Sequence, residues 1–442
     1  GLLLLCPWAC KRSSEPTPPT GSLSKAPSGG KAAPARPEEA SRCRRQAGFQ
    51  LLIETEAKQG QEASLDSAGQ EAEEQALLPF GVALGGVAVT PSQFVVAGLE
   101  GGGKAFLALL QEQGSRRMDL GEVHGDPDAP ALASFGERVM AVVGSSDAAG
   151  RTLKLLQLPS AGQSPEWGSE LSALGRNVSS VGLALSEAHG VVVFEAEQAG
   201  KSRAFVASFS SGEWRQPLQP RALALGDVES LRISARTGGF WLSWVKTLPE
   251  PKKANPAATT VAKDPEERAL LEFGLRVLEV VQLDPKGTPV GAPLRLGEPR
   301  RQALLFDVAA LGDGGLLVAS RFDSATPGVE AGAILLTRVG ADGSVQEERL
   351  DDDDIGVGAP VLLTDSGSKP AQAEPFLALS SASDATRFGV ARGQRTQLVS
   401  DPALAGSELL AVKGSQFLTQ RARGRSVELS VLACQPGSWL PP

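Results

Sequence analysis

The chain contains no tyrosine and only two histidines, His124 and His189. Histidine is the most frequent catalytic base and a common metal ligand, so a histidine-rich metal centre is excluded. A Ser-His-Asp triad would have to use one of these two residues. Both lie in turn-rich stretches between apolar runs, which favours hairpin or loop positions. The shortage of histidine therefore favours binding over catalysis.

Extended basic segments are also absent. The formal net charge is −8, and the only basic clusters, Arg42–Arg45 and Arg300–Arg301, are short and far apart in the sequence. Binding to a phosphate backbone requires a clustered basic face, so we expect no nucleic-acid partner. Hydrophobic residues make up 41% and charged residues 21%, as in ordinary globular proteins. We expect a monomer.

Long apolar segments are missing as well. The longest is Gly1–Cys10, and ten residues are too few to cross a hydrocarbon core of about 30 Å as a helix. Glycine and proline are instead abundant, with 50 and 31 residues. This combination is typical of many short strands that are joined by tight turns.

A weak internal repeat runs from about Gly81 onwards. Its strongest feature is a β-branched or aromatic stretch that returns seven times, at intervals of 41 to 76 residues. A second apolar stretch follows each one and makes a hairpin with it, and a shorter stretch precedes it. A poorer fourth stretch is suggested by Pro165–Trp167, Glu213–Arg215 and Pro293–Leu296. The seven strongest stretches begin at Phe94, Val139, Val191, Phe240, Leu316, Phe376 and Phe417.

Four antiparallel strands at this period predict a β-propeller blade. We therefore predict an all-β fold, a seven-bladed β-propeller over residues 79–442. Six or eight blades also fit, because the first and last units are the weakest. A two-sheet sandwich would not return a hairpin-centred motif seven times. The unusually wide interval in the fourth blade comes from an insertion at 249–268, between its two main strands.

The ends of the chain suggest how the ring closes. The last unit lacks a fourth strand, and an unassigned apolar stretch, Phe49–Glu54, lies upstream of the first blade. We predict that a strand within 43–57 completes the last blade. Cys43 precedes this strand and Cys434 follows the last strand of the chain, so antiparallel pairing would bring the two within disulfide range. The alternative is two unpaired cysteines.

The N-terminus carries an export signature. Residues 1–10 read Gly-Leu-Leu-Leu-Leu-Cys-Pro-Trp-Ala-Cys and are followed by Lys11 and Arg12. This stretch resembles the end of a bacterial lipoprotein signal, in which a small residue precedes the cysteine that becomes lipid-modified. The resemblance implies Cys10 as the lipid attachment site, with Cys6 as the alternative. A plain signal peptide and an accidental apolar end are the competing interpretations.

The segments after residue 10 fit a tethered protein. Residues 11–42 are rich in Pro, Ser and Gly and predict a disordered spacer, and residues 58–78 form an acidic, polar linker. With the lipoprotein resemblance, this order implies an exported protein anchored by its lipid to the bacterial cell envelope, at the outer membrane or periplasmic face. A secreted or soluble periplasmic protein is the alternative.

The sharpest local motif is an acidic run between the fifth and sixth blades. Carboxylates are good Ca²⁺ ligands, and the blade-to-blade links at Asp126, Asp128, Asp227 and Asp401 also contain acids. The run lacks the spacing and glycine of an EF-hand, so a solvated loop is the default interpretation and Ca²⁺ the alternative; no other cofactor is indicated. The run consists of Asp351, Asp352, Asp353 and Asp354.

Two functions remain open. The first is a non-catalytic binding or scaffold protein that presents its propeller rim to a protein or glycan partner. The second is an envelope hydrolase or lyase that uses rim or channel carboxylates, with Asp307, Asp365 or the acidic run as general acid and base. No reaction motif is present, and we identify no catalytic residue. Trp167, Trp214, Trp241, Trp244 and Trp439 are expected mainly to pack in the core, with sugar stacking as the alternative.

Overall fold

A computed structural model describes residues 43–54, 82–100, 103–122, 129–147, 150–158, 165–171, 178–198, 201–248, 275–297, 301–324, 333–350, 360–364, 375–380, 386–390, 396, 398–423 and 426–435. These residues are almost entirely β-strand, with one short 3-10 helix at Pro402–Leu404. No helix among them is long and apolar enough to span a membrane.

The strands form seven four-stranded antiparallel sheets within the described ranges. We number these sheets as blades 1 to 7 in chain order. Strand β1 (Cys43–Glu54) belongs to blade 7. The strands of the first three blades are β2 (Val82–Val89), β3 (Gln93–Glu100), β4 (Lys104–Gln111) and β5 (Gly114–Glu122); β6 (Ala131–Phe135), β7 (Arg138–Asp147), β8 (Gly150–Leu158) and β9 (Glu166–Leu171); β10 (Val178–Leu185), β11 (His189–Gln198), β12 (Lys201–Ser210) and β13 (Arg221–Ala222).

The remaining blades follow the same order of strands. They are β14 (Glu229–Arg236), β15 (Gly239–Leu248), β16 (Leu275–Leu283) and β17 (Pro289–Leu296); β18 (Arg301–Ala310), β19 (Leu316–Ser324), β20 (Ala333–Val339) and β21 (Val345–Leu350); β22 (Val361–Leu363), β23 (Phe376–Ser380), β24 (Thr386–Val390) and β25 (Val399–Ser400); β26 (Glu408–Lys413), β27 (Gln416–Arg423) and β28 (Ser426–Cys434).

The blades form a closed ring. The first strand of each blade contacts the first strand of the next, and β26 of blade 7 contacts β2 of blade 1. The predicted seven-bladed propeller is therefore confirmed. All seven predicted main stretches lie in the second strand of their blade, and the insertion after Leu248 joins β15 to β16 as predicted.

The core lies between the blades. Each cluster of buried apolar side chains draws on two adjacent blades, because second and third strands are covered on both faces by their neighbours. Every residue of β3 is buried, whereas β17 and β21 on the outer edge are mostly exposed. One predicted fourth strand was wrong: Glu213–Arg215 lies in a turn, and β13 completes blade 3 instead.

The N-terminal strand closes the ring as predicted. Strand β1 pairs antiparallel with β28, and Cys43 lies directly opposite Cys434. The two cysteines form a disulfide, with their Cα atoms 4.0 Å apart. Blade 7 is thus built from both ends of the described chain. Its strand order is β1-β28-β27-β26.

The two ends of the ring differ. At the turn end, where first and second strands are joined, side chains tie neighbouring blades: Ser92 Oγ donates to Glu137 at 2.8 Å. Trp241 Nε1 likewise donates to the carbonyl of Gly314 at 3.1 Å. The rim end carries the hairpins between second and third strands and the blade-to-blade links. Cys43 and Cys434 lie at the turn end, opposite the insertion after Leu248.

Candidate functional site

Several residues proposed from the sequence lie outside the described ranges. These are the acidic run Asp351–Asp354, Asp365, the link acids Asp126 and Asp128, and the two candidate lipid-attachment residues Cys6 and Cys10. Of the described link acids, Asp227 is exposed, and Asp401 is buried and accepts the Ala403 N–H at 2.8 Å to cap the 3-10 helix. Among the described residues, no three His, Cys, Asp or Glu side chains are grouped to hold a metal ion.

The histidine and tryptophan positions largely follow expectation. His189 begins β11 after a tight turn, where its backbone hydrogen-bonds Ser186. Trp241 and Trp244 in β15 are fully buried. Trp214 is also buried, although it lies in a turn and not in a strand. Trp167 on β9 is 47% exposed and is the exception to core packing. His124 and Trp439 lie outside the described ranges.

A buried carboxylate joins blades 3 and 4 towards the rim end. Glu195 on β11 is only 7% exposed, and its Oε1 accepts the N–H of Leu231 in β14 at 3.3 Å. Ser179 on β10 donates its hydroxyl to Oε2 at 3.4 Å. The Ser180 hydroxyl makes a further hydrogen bond to the same carboxylate. Glu195 therefore links the inner strands of two neighbouring blades.

The backbone around Glu195 is irregular in a repeated way. Strands β10 and β14 each contain a bulge, and Ser180 and Ser230 in these bulges have positive φ angles of 49° and 56°. Among the described residues, these are the two non-glycine residues with left-handed backbone. Such conformations are costly for residues with a Cβ and cluster at functional sites. The corresponding bulge in β2 contains Gly85 and Gly86, and neither of these has a positive φ angle.

Burial raises the pKa of Glu195 above its ordinary value. Desolvation of the carboxylate is the main cause, and the nearby charge of Glu229 acts in the same direction. The hydrogen bonds from Ser180, Leu231 and Ser179 oppose the shift. The folded state therefore holds this proton more tightly than the unfolded chain. Stability from this group is complete below the unfolded pKa and is lost as pH rises through the folded pKa.

Replacing Glu195 with glutamine is expected to make the protein less sensitive to pH. The amide oxygen still accepts the Leu231 N–H and the amide N–H₂ can meet a serine hydroxyl, but no charge has to be buried. Urea unfolding between about pH 4 and pH 7 should show that the free energy of unfolding of Glu195→Gln increases relative to that of the wild type as pH rises. If the difference in free energy of unfolding between the two proteins stayed constant across this pH range, the raised pKa of Glu195 would be contradicted. Glu195→Ala, which removes the acceptor, should lose about 1 to 3 kcal/mol.

Asp307, a residue proposed from the sequence, holds two other blades together. On β18 its Oδ1 accepts the N–H of Val308 at 2.9 Å, and its Oδ2 accepts the N–H of Leu362 in β22 at 2.8 Å. Desolvation is the main influence on its pKa, which is raised, while these N–H groups and Arg232 act against it. Both carboxylate oxygens are thus engaged in a link between blades 5 and 6.

Asparagine should not replace Asp307 well. One carboxylate oxygen would become an N–H₂ group and face a backbone N–H donor, so one hydrogen bond is lost and two donors oppose each other. We expect Asp307→Asn to lower the free energy of unfolding by about 1 to 3 kcal/mol. The measurement is the urea midpoint of Asp307→Asn, compared with the midpoints of the wild type and of Glu195→Gln under the same conditions. Equal stability of Asp307→Asn and wild type would show that the Leu362 link does not form.

Blade 4 carries a network of ion pairs at its rim end. Arg276 Nη2 lies 2.7 Å from Glu229 Oε2, and Thr247 donates its hydroxyl to the other oxygen of Glu229 at 3.1 Å. On the other face, the buried carboxylate of Glu279 lies 3.4 Å from Lys246 Nζ and 3.5 Å from Arg295 Nη2. Of these side chains, Glu229 acts on the charge of Glu195 across the boundary with blade 3.

The sequence interpretation missed Glu195 and the cations of blade 4. A signal for Glu195 was available, because it follows the apolar run Val191–Phe194 in a strand that is buried on both faces. A glutamate in a buried strand needs a hydrogen-bond partner, but its partner Leu231 lies 36 residues away in the next blade. The charged residues of blade 4 approach each other only through strand pairing.

Comparisons with known proteins support the fold and leave the function open. No protein-family model matches the chain, and no curated protein sequence matches it. The polysaccharide lyase Uly1 is similar in structure, with a TM-score of 0.51 and 9% identity over 89% of this chain and 99% of that one.

Two further solved structures resemble this chain. A PL25 ulvanlyase, bound to a GlcA(1-4)Rha3S saccharide, has a TM-score of 0.51 and 8% identity over 78% of this chain and 90% of that one. Kuenenia stuttgartiensis hydrazine synthase has a TM-score of 0.50 and 14% identity, covering 84% of this chain and 98% of that one. At such identities the similarity concerns the propeller fold alone.

Proposed function

We propose that this protein is a non-catalytic binding protein of the bacterial envelope, and that the rim end of its propeller meets the partner. The observation that carries this proposal is the engagement of Glu195 and Asp307, whose pKa values are raised by burial and which are the two such carboxyl groups in the described part of the chain. Each accepts a backbone N–H from the neighbouring blade. General acid–base catalysis requires a group that can reach a substrate proton, whereas these two carboxyl groups hydrogen-bond adjacent blades to each other.

The division of the ring into two ends also supports a binding role for the rim. Several turns at the opposite end have only two or three residues, and some are tied to the next blade by side chains, as with Ser92 and Glu137. Long connections on a rigid scaffold often carry recognition. The connection between β15 and β16 runs from residue 249 to 274 on the rim side and is the longest between consecutive strands of one blade.

The anchor in this proposal is a lipid on Cys10, with Cys6 as the alternative. The Cys43–Cys434 disulfide supports export, because such bonds persist in oxidising compartments. Protein expressed with its native N-terminus should partition into detergent and incorporate a labelled fatty acid. Cys10→Ser should abolish both, with Cys6→Ser as the matched control. Labelling that depends on neither cysteine would reject the anchor.

Binding without turnover is the direct test of the proposed function. The full chain is incubated with envelope glycans and with envelope extract, and both the retained material and any released product are measured. The proposal expects a retained partner and no product. Retention of nothing from either source would overturn it.

An envelope lyase or hydrolase is the second candidate. It is favoured by the raised pKa of Glu195, since perturbed carboxyl groups often mark active sites. It is also consistent with the fold of the polysaccharide lyases named above. Glycan cleavage by the wild type that Glu195→Gln abolishes, while the variant unfolds at the wild-type urea midpoint or above, would establish this candidate and reject the first.

A further inference from the structure

The boundary between blades 7 and 1, which we call the seam, contains a half-buried lysine at its turn end. Lys413 is the last residue of β26. Its Nζ donates to the carbonyl of Pro91, in the turn between β2 and β3 of blade 1, at 3.3 Å. The same ammonium lies 4.8 Å from the ring centroid of Phe94, a fully buried side chain of β3. Lys413 therefore ties the last blade to the first through its charged group.

The surroundings of this amine favour loss of its proton. Burial at the seam lowers the pKa of Lys413, because desolvation penalises the ammonium form. Glu137 in the turn between β6 and β7 and Glu112 in the turn between β4 and β5 act in the opposite direction. Neither acid is within ion-pair distance, and no other carboxylate of the described residues is either. The contacts of the ammonium are thus an aromatic face and a single peptide carbonyl.

Two other lysines provide a comparison within the same chain. Lys246 on β15 is also partly buried, with 29% of its side chain exposed, but its Nζ lies 3.4 Å from the buried carboxylate of Glu279. Lys286 is exposed in the turn between β16 and β17, where reagents reach it without hindrance. The three residues separate burial from ion pairing: Lys413 is buried and unpaired, Lys246 is buried and paired, and Lys286 is exposed.

A lysine that is desolvated beside an apolar group is an activated nucleophile, because the free amine, and not the ammonium, attacks a carbonyl carbon. We propose that Lys413 is an acylation site, which accepts an acyl group from an activated ester or a thioester. In this step the Nζ lone pair forms a bond to the acyl carbon, and the amine loses one proton to solvent. The alkoxide or thiolate of the donor leaves with the electron pair of the broken bond. The product is a neutral amide.

Acylation changes the seam because it removes the charge. The amide presents no cation to the Phe94 ring and no positive charge to Glu112 and Glu137. The disulfide between Cys43 and Cys434 joins two strands of blade 7, so it does not replace a contact between blades 7 and 1. Acylation of Lys413 therefore loosens the first blade from the last while the disulfide stays intact.

The reactivity is tested by brief treatment of the full chain with limiting N-acetoxysuccinimide, an activated ester, at pH 7. Peptide mass spectrometry then gives the rate at each lysine. Lys413 should react at least about threefold faster than Lys246 and Lys286, since each unit by which a pKa falls gives about tenfold more free amine. In urea-unfolded protein the three rates should be similar. If Lys413 of the folded protein reacts no faster than Lys286, the inference is overturned.

The effect on the seam is tested with three variants and urea unfolding. Lys413→Gln, the neutral stand-in for the acetylated residue, should have a lower urea midpoint than the wild type. Lys413→Arg keeps the charge over Phe94 and should stay close to the wild type. Lys286→Gln removes the same charge from an exposed turn and should unfold like the wild type. Equal midpoints for Lys413→Gln and Lys286→Gln would contradict loosening of the seam.

Discussion

Replacing Cys43 and Cys434 together with alanine is expected to lower the free energy of unfolding by about 3 to 6 kcal/mol. The bond joins residues that are 391 positions apart, so it removes a large loop-closure entropy from the unfolded chain. The chain-entropy relation gives about 6 kcal/mol for a loop of this length, and measured losses are commonly about 2 to 5 kcal/mol. The ring should still close, because β1 keeps its backbone pairing with β28.

Urea unfolding under non-reducing conditions measures this loss. The midpoint of the Cys43→Ala/Cys434→Ala variant should fall, and added reductant should lower the wild type to a similar value. Cys6→Ala/Cys10→Ala controls for the general loss of thiols and should unfold like the wild type. An unchanged midpoint after removal of Cys43 and Cys434 would show that the bond contributes nothing to closure.

Phe417→Ala is expected to have the second large effect, about 3 to 5 kcal/mol. Phe417 is fully buried on β27, and its ring centroid lies 5.8 Å from Phe376 and 5.7 Å from Phe388, both in blade 6. Truncation removes these aromatic contacts and leaves a cavity between blades 6 and 7. The same cluster contains Cys43 and Cys434. The closing blade therefore depends on packing as well as on the disulfide.

A matched substitution separates this packing effect from the general loss of an aromatic ring. Phe135, at the end of β6, is 41% exposed, so Phe135→Ala should lower the free energy of unfolding by less than about 1 kcal/mol. Phe417→Leu should fall between the wild type and Phe417→Ala, because it refills part of the volume. Equal losses at Phe417 and Phe135 would contradict the packing of blade 6 on blade 7.

The middle strands could be predicted from the sequence because their environment determines their composition. A second strand such as β3 is covered by neighbouring blades, so Phe94, Val95 and Val96 form a continuous apolar stretch. Closure was predictable for a related reason, since the apolar stretch at Phe49–Glu54 had no partner in its own surroundings. The fourth strands gave little signal. β13 and β25 have two residues each, and β17 and β21 are mostly exposed.

The site was less predictable because its contacts cross between blades. Asp307 was identified as a charged residue in an inner strand, yet its partner Leu362 is 55 residues away. The sequence interpretation treated it as a candidate acid or base, whereas the geometry makes it a link between strands. The ion-pair network of blade 4 depends on the pairing of β14 to β17, which no local pattern encodes.

The ring is closed by its own N-terminal strand, and we propose that the protein is exported. Both statements are tested most directly by peptide mapping of the non-reduced protein, isolated from an envelope fraction with free thiols blocked at lysis. The account predicts one disulfide-linked peptide pair that contains Cys43 and Cys434, and that separates on reduction. A blocked free thiol at either cysteine, in the folded protein, would contradict it.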